Sequence, residues 1–248
     1  MLFKINLSYL EVSRNFILKM EVHKLCDKIF PLVQKHKNDP HVELEMRLGK
    51  FNGKMFDTNV GKATFDRVIL GLQKYTGWEK VIGTEHEVFY RETDGTRISV
   101  DEATGTEVIV RKERVKNEDF KKMKGTPYDV RFSVSKEIPL PEDTNRDMDK
   151  KKTKKRVSFI RKNLSIDMTI CVGDSHDMDA EDPMVYQIEF EIIDPTRVLT
   201  KDDMFNTIHK IKDLFILLGT NKWLSYSRQL CCSSCGTRGT KEWKRWES

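Results

Sequence analysis

Apolar and polar positions alternate cleanly along Val42-Glu43-Leu44-Glu45-Met46-Arg47-Leu48-Gly49. In an extended chain successive side chains point to opposite faces, so Leu44, Met46 and Leu48 share one face and Glu43, Glu45 and Arg47 the other. The same alternation returns late in the chain, where Ile188, Phe190 and Ile192 oppose Gln187, Glu189 and Glu191. Between these stretches the period stays near two. It predicts strands over Glu85–Arg91, Arg97–Asp101, Glu107–Val115, Tyr128–Ile138, Lys152–Arg161, Leu164–Val172 and Val185–Ile193. Asp94-Gly95 and Thr104-Gly105 mark hairpin tips, and Pro139 and Pro141 end a strand. No helix of useful length interrupts the run, so the sheet is expected to be antiparallel and closed into a barrel.

Helical spacing is confined to the flanks. It covers about Glu11 to Lys37, with Pro31 expected to kink or restart the helix, and about Thr64 to Tyr75. A last helix is capped by Thr200 and stopped by Gly219. The fold class is therefore α+β, mainly β: a closed antiparallel β-barrel with flanking helices. Residues 1–222 form its domain, with a helical N-terminal segment at 11–37. Residues 223–248 lose all periodicity and read as a linker, a disordered end or an artificial extension.

Composition narrows the class. The 248 residues are 38% hydrophobic and 33% charged, which suits a soluble globular chain unusually rich in charge. No apolar run approaches the roughly 20 residues a bilayer span needs, and the opening residues lack a secretory pattern, so no membrane partner is expected. An odd number of cysteines, five, argues against a disulfide framework. Cys232 and Cys235 have zinc-knuckle spacing, but no second pair follows. The acidic loop Asp174–Pro183 lacks the glycine and terminal glutamate of a calcium loop.

Either acidic strand alone could be a solvated sheet face. If both line one cavity, four carboxylates converge and raise each other's pKa unless a cation sits among them. A hard divalent ion such as Mg²⁺ or Mn²⁺ suits oxygen ligands of this kind. The basic strands complete the picture. In extended geometry Lys152, Lys154 and Arg156 share a face, as do Lys112 with Arg114, Arg97 with Ser99, and Arg131 with Ser133, Ser135 and Glu137. Cations repeated on the inner face of strand after strand fit phosphate oxygens, which guanidinium and ammonium groups bind through charge-assisted hydrogen bonds.

The order of these motifs is E-x-E-x-R in an early strand, K-x-R followed by Ser158-Phe159, Asp167-x-Thr169, and a late E-x-E. It resembles the triphosphate tunnel metalloenzymes, and more narrowly the metal-dependent RNA 5′-triphosphatases of fungal, protozoan and large-DNA-virus mRNA capping. The resemblance covers residues 38 to 220. It implies that Glu43, Glu45, Glu189 and Glu191 hold Mg²⁺ or Mn²⁺. It also implies catalytic roles for Arg47, Arg97, Lys112, Lys154 and Arg156, with Glu137 positioning the attacking water. Arg114, Arg131, Lys152, Asp167 and Thr169 would bind substrate. Gln187 departs from relatives that have a third glutamate there, and Arg47 departs from the lysine usual in bacterial and animal tunnel phosphatases.

The activity implied is removal of the γ-phosphate from 5′-triphosphate RNA, the first step of mRNA capping. Alternatives are a tunnel enzyme acting on tripolyphosphate, a nucleoside triphosphate or thiamine triphosphate, and a non-catalytic RNA- or polyanion-binding module. No P-loop and no K-x-D-G nucleotidyl-transfer motif is present, so a capping guanylyltransferase is expected as a separate or downstream partner. A cytoplasmic location is expected, in a host cell or virion if the protein is viral, with the nucleus as the alternative.

Overall fold

The structure, a computed structural model, describes residues 2–124, 126–142, 145–173 and 184–219. The tail at 223–248 and the acidic loop lie outside them. Among the described residues nine strands appear in order: β1 Val42–Asn52, β2 Met55–Asp57, β3 Lys80–Arg91, β4 Thr96–Asp101, β5 Glu107–Phe120, β6 Asp129–Pro139, β7 Lys150–Arg161, β8 Leu164–Gly173 and β9 Met184–Ile192. Their spatial order is β2-β1-β6-β5-β4-β3-β7-β8-β9, and β1 also pairs with β9. That extra pairing closes eight antiparallel strands into a barrel, as the alternation predicts. Among the described strands only β2 stays outside the ring, paired to the end of β1.

The core of this barrel lies on its outside. Leu44, Met46, Leu48, Phe132, Val134, Ile166, Met168, Ile188 and Phe190 are buried on the outer face of the wall. They pack in one cluster with side chains from four helices: α1 Leu2–His36, α2 Lys62–Gln73, α3 Lys201–Ile208 and α4 Lys210–Gly219. Leu25, Ile29 and Val33 come from α1, and Phe65, Val68 and Leu72 from α2. Met204 and Ile208 come from α3, and Ile211, Leu214 and Phe215 from α4. Each such side chain contributes about 1.5–3 kcal/mol on burial. With stability supplied from outside, the lumen is free to hold charge.

Four departures from the sequence expectation have local causes. Helix α1 starts near the beginning of the chain and runs on through Pro31. The C-terminal helix carries the expected Thr200–Asp203 capping box but divides at His209, whose ring Nδ1 lies 2.7 Å from the Asn206 carbonyl. Strand β5 continues to Phe120 past a bulge between Arg114 and Lys116. An extra residue there shifts the alternation, which hides the second half of the strand from a period-two reading. Strand β2 is too short to read, but Gly49 makes room for it: a Cβ there would stand 2.2 Å from the Asp57 carbonyl oxygen.

Candidate active site

Cross-strand register decides which side chains meet. At the closing seam Glu45 of β1 stands opposite Glu191 of β9, and Arg47 opposite Glu189. On the other side of β1, Glu43 faces Ser135 and Glu45 faces Ser133 of β6. Asp167 of β8 is opposite Glu189, and Thr169 is opposite Arg156 of β7. The two acidic strands, far apart in sequence, thus become neighbours in one polar lumen.

Two groups of ion pairs line it. In the first, Lys112 Nζ donates to Glu43 Oε2 and stands 3.2 Å from Glu137 Oε1. Ser135 Oγ donates to the same Glu43 oxygen at 2.8 Å, and Arg97 lies 3.6 Å from Glu137. In the second, the Arg156 guanidinium reaches Asp167 Oδ2 and Glu189 Oε2, both at 3.1 Å, and donates from Nε to Thr169 Oγ1 at 3.1 Å. Ser165 Oγ donates to the other Asp167 oxygen at 2.5 Å. Arg47 lies 2.9 Å from Glu45 Oε1 on its own strand and donates to Ser133 Oγ of β6 at 3.2 Å.

The carboxyls do not titrate alike. Burial pushes Glu45 up to about 7, and the nearby charges of Glu189 and Glu43 add to it. Glu191 also rises to about 7, through burial first and then the charges of Glu43 and Asp167. Burial works in the same direction on Glu43, but attraction to Lys112 and the hydrogen bonds from Lys112 and Ser135 outweigh it and hold that carboxyl low. Of these three carboxyls, Glu43 is held as a carboxylate by its partners, while Glu45 and Glu191 resist ionising until near neutral pH.

Glu43, Glu45, Glu189 and Glu191 are the carboxyls that the resemblance assigns to a metal ion. Among the described residues no three acidic, histidine or cysteine side chains already stand gathered around one point, and Lys112 and Arg156 are paired with Glu43 and Glu189. The chemistry of the four carboxyls nevertheless fits a hard divalent ion. All four are oxygen donors on adjoining strands, and Glu45 Oε1 is buried with only the Arg47 ion pair at 2.9 Å beside it and no aligned hydrogen bond. A dication there would relieve the repulsion that lifts Glu45 and Glu191. Gln187, by contrast, is committed to structure: its amide donates to Thr58 at 2.7 Å and accepts from the Cys171 thiol at 3.2 Å.

The remaining sequence candidates divide. Arg97, Lys112, Arg114 and Lys152 line a basic cleft of about 450 Å³, together with Lys150 and Tyr90. Lys154 faces the lumen nearby, 5.8 Å from the Tyr90 ring centroid. Arg131 stands apart. Its guanidinium forks onto Asp119 at 2.7 and 3.1 Å and lies over the Phe56 ring at 4.7 Å. Arg131→Ala should therefore lower the melting temperature by a few degrees and leave kcat within about threefold, as for a residue with a structural contact only. A kcat loss like that of a lumen cation would overturn that assignment. Tyr90 and His86 are inward-facing residues that sequence pattern alone misses, because the run Thr84-Glu85-His86-Glu87-Val88-Phe89-Tyr90 does not alternate polar with apolar; Ser165, by contrast, shares the face of Asp167 and Thr169 in a cleanly alternating strand.

A closed antiparallel barrel with carboxylates and cations facing each other across its lumen is the fold of a triphosphate tunnel enzyme. Residues 83–219, more than half of the chain, match the family described as mRNA capping enzyme, beta chain, and the chain belongs to that family. Its activity is that of an mRNA-capping RNA 5′-triphosphatase. Glu43, Glu45 and Arg47 precede the matched region and join the site through the β1 pairings. Two solved structures share the fold. The S. pombe Pct1 RNA triphosphatase superposes with a TM-score of 0.64 at 16% identity, covering 77% of this chain and 92% of that one. The same enzyme in complex with the Spt5 CTD gives 0.60 at 17% identity, with 77% and 89% covered. No curated protein matches the chain. Triphosphate tunnel RNA triphosphatases are metal-dependent in general.

Proposed function

We propose that the lumen hydrolyses the β–γ anhydride of triphosphate-ended RNA with a divalent ion, Mg²⁺ or Mn²⁺, held by Glu43, Glu45, Glu189 and Glu191. The observation that carries this is the seam, where β1 and β9 set Glu45 and Arg47 opposite Glu191 and Glu189. When bound, the ion would neutralise phosphate charge and polarise the γ-phosphoryl group.

The chain's own residues do the rest. Lys112, Arg97, Lys154 and Arg156 bind the γ-phosphate oxygens and offset the charge that develops on them. To do so Lys112 and Arg156 exchange carboxylate partners for phosphate, which releases Glu43 and Glu189. Arg114 and Lys152 hold the α and β phosphates at the cleft. Glu137 is more open to solvent than its ion-pair partner Lys112 and has room to accept a hydrogen bond from water. It orients that water in line with the leaving oxygen. Water adds to phosphorus, the bond to the β-phosphate oxygen breaks with its electron pair, and a diphosphate end, orthophosphate and one proton result. Asp167 and Thr169 fix the Arg156 fork. The diphosphate end is the substrate of a guanylyltransferase, which we place as a partner acting next, in the cytoplasm or the nucleus where new transcripts are capped.

The test is orthophosphate release from triphosphate-ended RNA, ATP and tripolyphosphate, each with Mg²⁺, with Mn²⁺ and with chelator. Metal-dependent release from RNA, leaving a diphosphate end, is expected. Much faster release from tripolyphosphate than from RNA would favour a small-molecule tunnel phosphatase. RNA binding without release under any metal would make the chain a binding module.

A further inference from the structure

The inner wall is ionic or small and polar along most of its length, yet Tyr90 of β3 faces into it at the basic cleft. Register puts it between Arg97 of β4 and Lys150 of β7. The Arg97 guanidinium lies 5.4 Å from its ring centroid and Lys154 Nζ 5.8 Å, so the ring presents an electron-rich face to the lumen with cations resting on it. A half-buried tyrosine gives the outer core nothing from this position, since the hydrophobic cluster is on the other side of the wall. Its surroundings are those of a polyphosphate path: Arg97, Lys112, Arg114, Lys150 and Lys152 line the same cleft.

Distance along the strand gives the ring a second meaning. Lys150 is the residue opposite Tyr90, and Arg156, whose guanidinium sits among Asp167 and Glu189, lies six residues further along β7. At about 3.3 Å per residue that backbone separation is roughly 20 Å, and the long side chain of Lys154 reaches back across it to the ring. A chain of three phosphates and a ribose fits that span. With its γ-phosphate among Arg156 and the carboxylates, a nucleotide would bring its base to the cleft.

We propose that Tyr90 stacks on the base of the first RNA nucleotide, and that this contact makes the tunnel select a nucleotide-bearing triphosphate over bare tripolyphosphate. The assignment rests on the triphosphatase reading and adds the specificity-determining residue to it. As substrate enters, Arg97 and Lys154 leave the ring for phosphate, and the base takes their place. Stacking a base on an aromatic side chain is sequence-tolerant, as an enzyme that meets many transcripts requires.

The experiment compares wild type, Tyr90→Ala and Tyr90→Phe on triphosphate-ended RNA and on tripolyphosphate, reading KM and kcat separately. Binding of each ligand in chelator is measured alongside. Tyr90→Ala should raise KM and Kd for RNA by about 5- to 100-fold, the range of one lost base stack, with kcat and tripolyphosphate binding unchanged. Tyr90→Phe keeps the ring and should restore wild-type values. Equal weakening for both ligands, or no change for RNA, would overturn the proposal. So would a wild type that binds tripolyphosphate as tightly as RNA. Failure of the wild type to hydrolyse RNA would instead count against the triphosphatase reading, and the binding arm would still decide the role of Tyr90.

Discussion

Arg156→Ala is expected to lower kcat/KM on triphosphate-ended RNA by two orders of magnitude or more, while Lys155→Ala, one residue away, stays within about twofold of wild type. The two side chains lie on opposite sides of the barrel wall. Lys155 points outward and pairs with Glu85 at 2.7 Å, both partly exposed, and such surface pairs contribute about 0–1 kcal/mol. Lys151 does the same with Glu87. Arg156 points inward, with Asp167, Glu189 and Thr169 around its guanidinium. Removing it deletes a phosphate contact in a site that is largely closed to water. It also strands Asp167, which is 3% exposed and would keep only the Ser165 hydroxyl. An unpaired buried carboxylate costs about 3–5 kcal/mol, so the rate must be measured on protein shown to be folded. Arg156→Lys separates the effects: it keeps the charge but cannot fork onto two partners, and its loss should be intermediate. Equal losses at Lys155 and Arg156 would mean that bulk positive charge, not a directed strand, is what the run from Lys150 supplies.

This contrast between neighbouring residues was legible in the sequence because the period of a strand is two. Any stretch whose charges alternate with apolar residues declares its inner face, which is how Glu43, Glu45, Glu189 and Glu191 could be grouped before any pairing was known. The run Lys150–Arg156 has no apolar residue to mark the outer face. Extended geometry still groups Lys152, Lys154 and Arg156 on one face, and Glu85 and Glu87 on β3 hold Lys155 and Lys151 on the other. Register was not legible. That Arg47 meets Glu189, or that Arg131 is taken by Asp119, depends on pairings set by the bulge in β5 and by closure of β1 on β9. Tyr90 escaped because an aromatic residue in a strand ordinarily reads as core, and here the core is on the far side of the wall.

Glu45→Gln is expected to abolish activity and yet stabilise the protein without metal at pH 8. Activity should fall by at least two orders of magnitude, because a neutral amide cannot serve a divalent ion as a carboxylate does. Stability should move the other way. Glu45 is buried against the charges of Glu189 and Glu43, and its pKa rises from 4.5 to about 7. A carboxyl whose pKa rises on folding favours the native state in full only below its unfolded pKa. That contribution drains away as pH climbs from about 4.5 to about 7 and is gone above it. At pH 8 the wild type therefore carries a buried carboxylate among like charges, with Arg47 at 2.9 Å as partial compensation. Glutamine keeps the shape and stays neutral at every pH. The variant should be more stable than wild type by about 1–3 kcal/mol at pH 8, and the gap should close towards pH 5. Chemical denaturation of both proteins in chelator at pH 5, 6, 7 and 8 measures it. A gap that does not change with pH would show that Glu45 does not titrate in this range. A variant less stable than wild type at pH 8 would show that the pair with Arg47 outweighs the repulsion. Retained turnover would remove Glu45 from the metal set whatever the stability result.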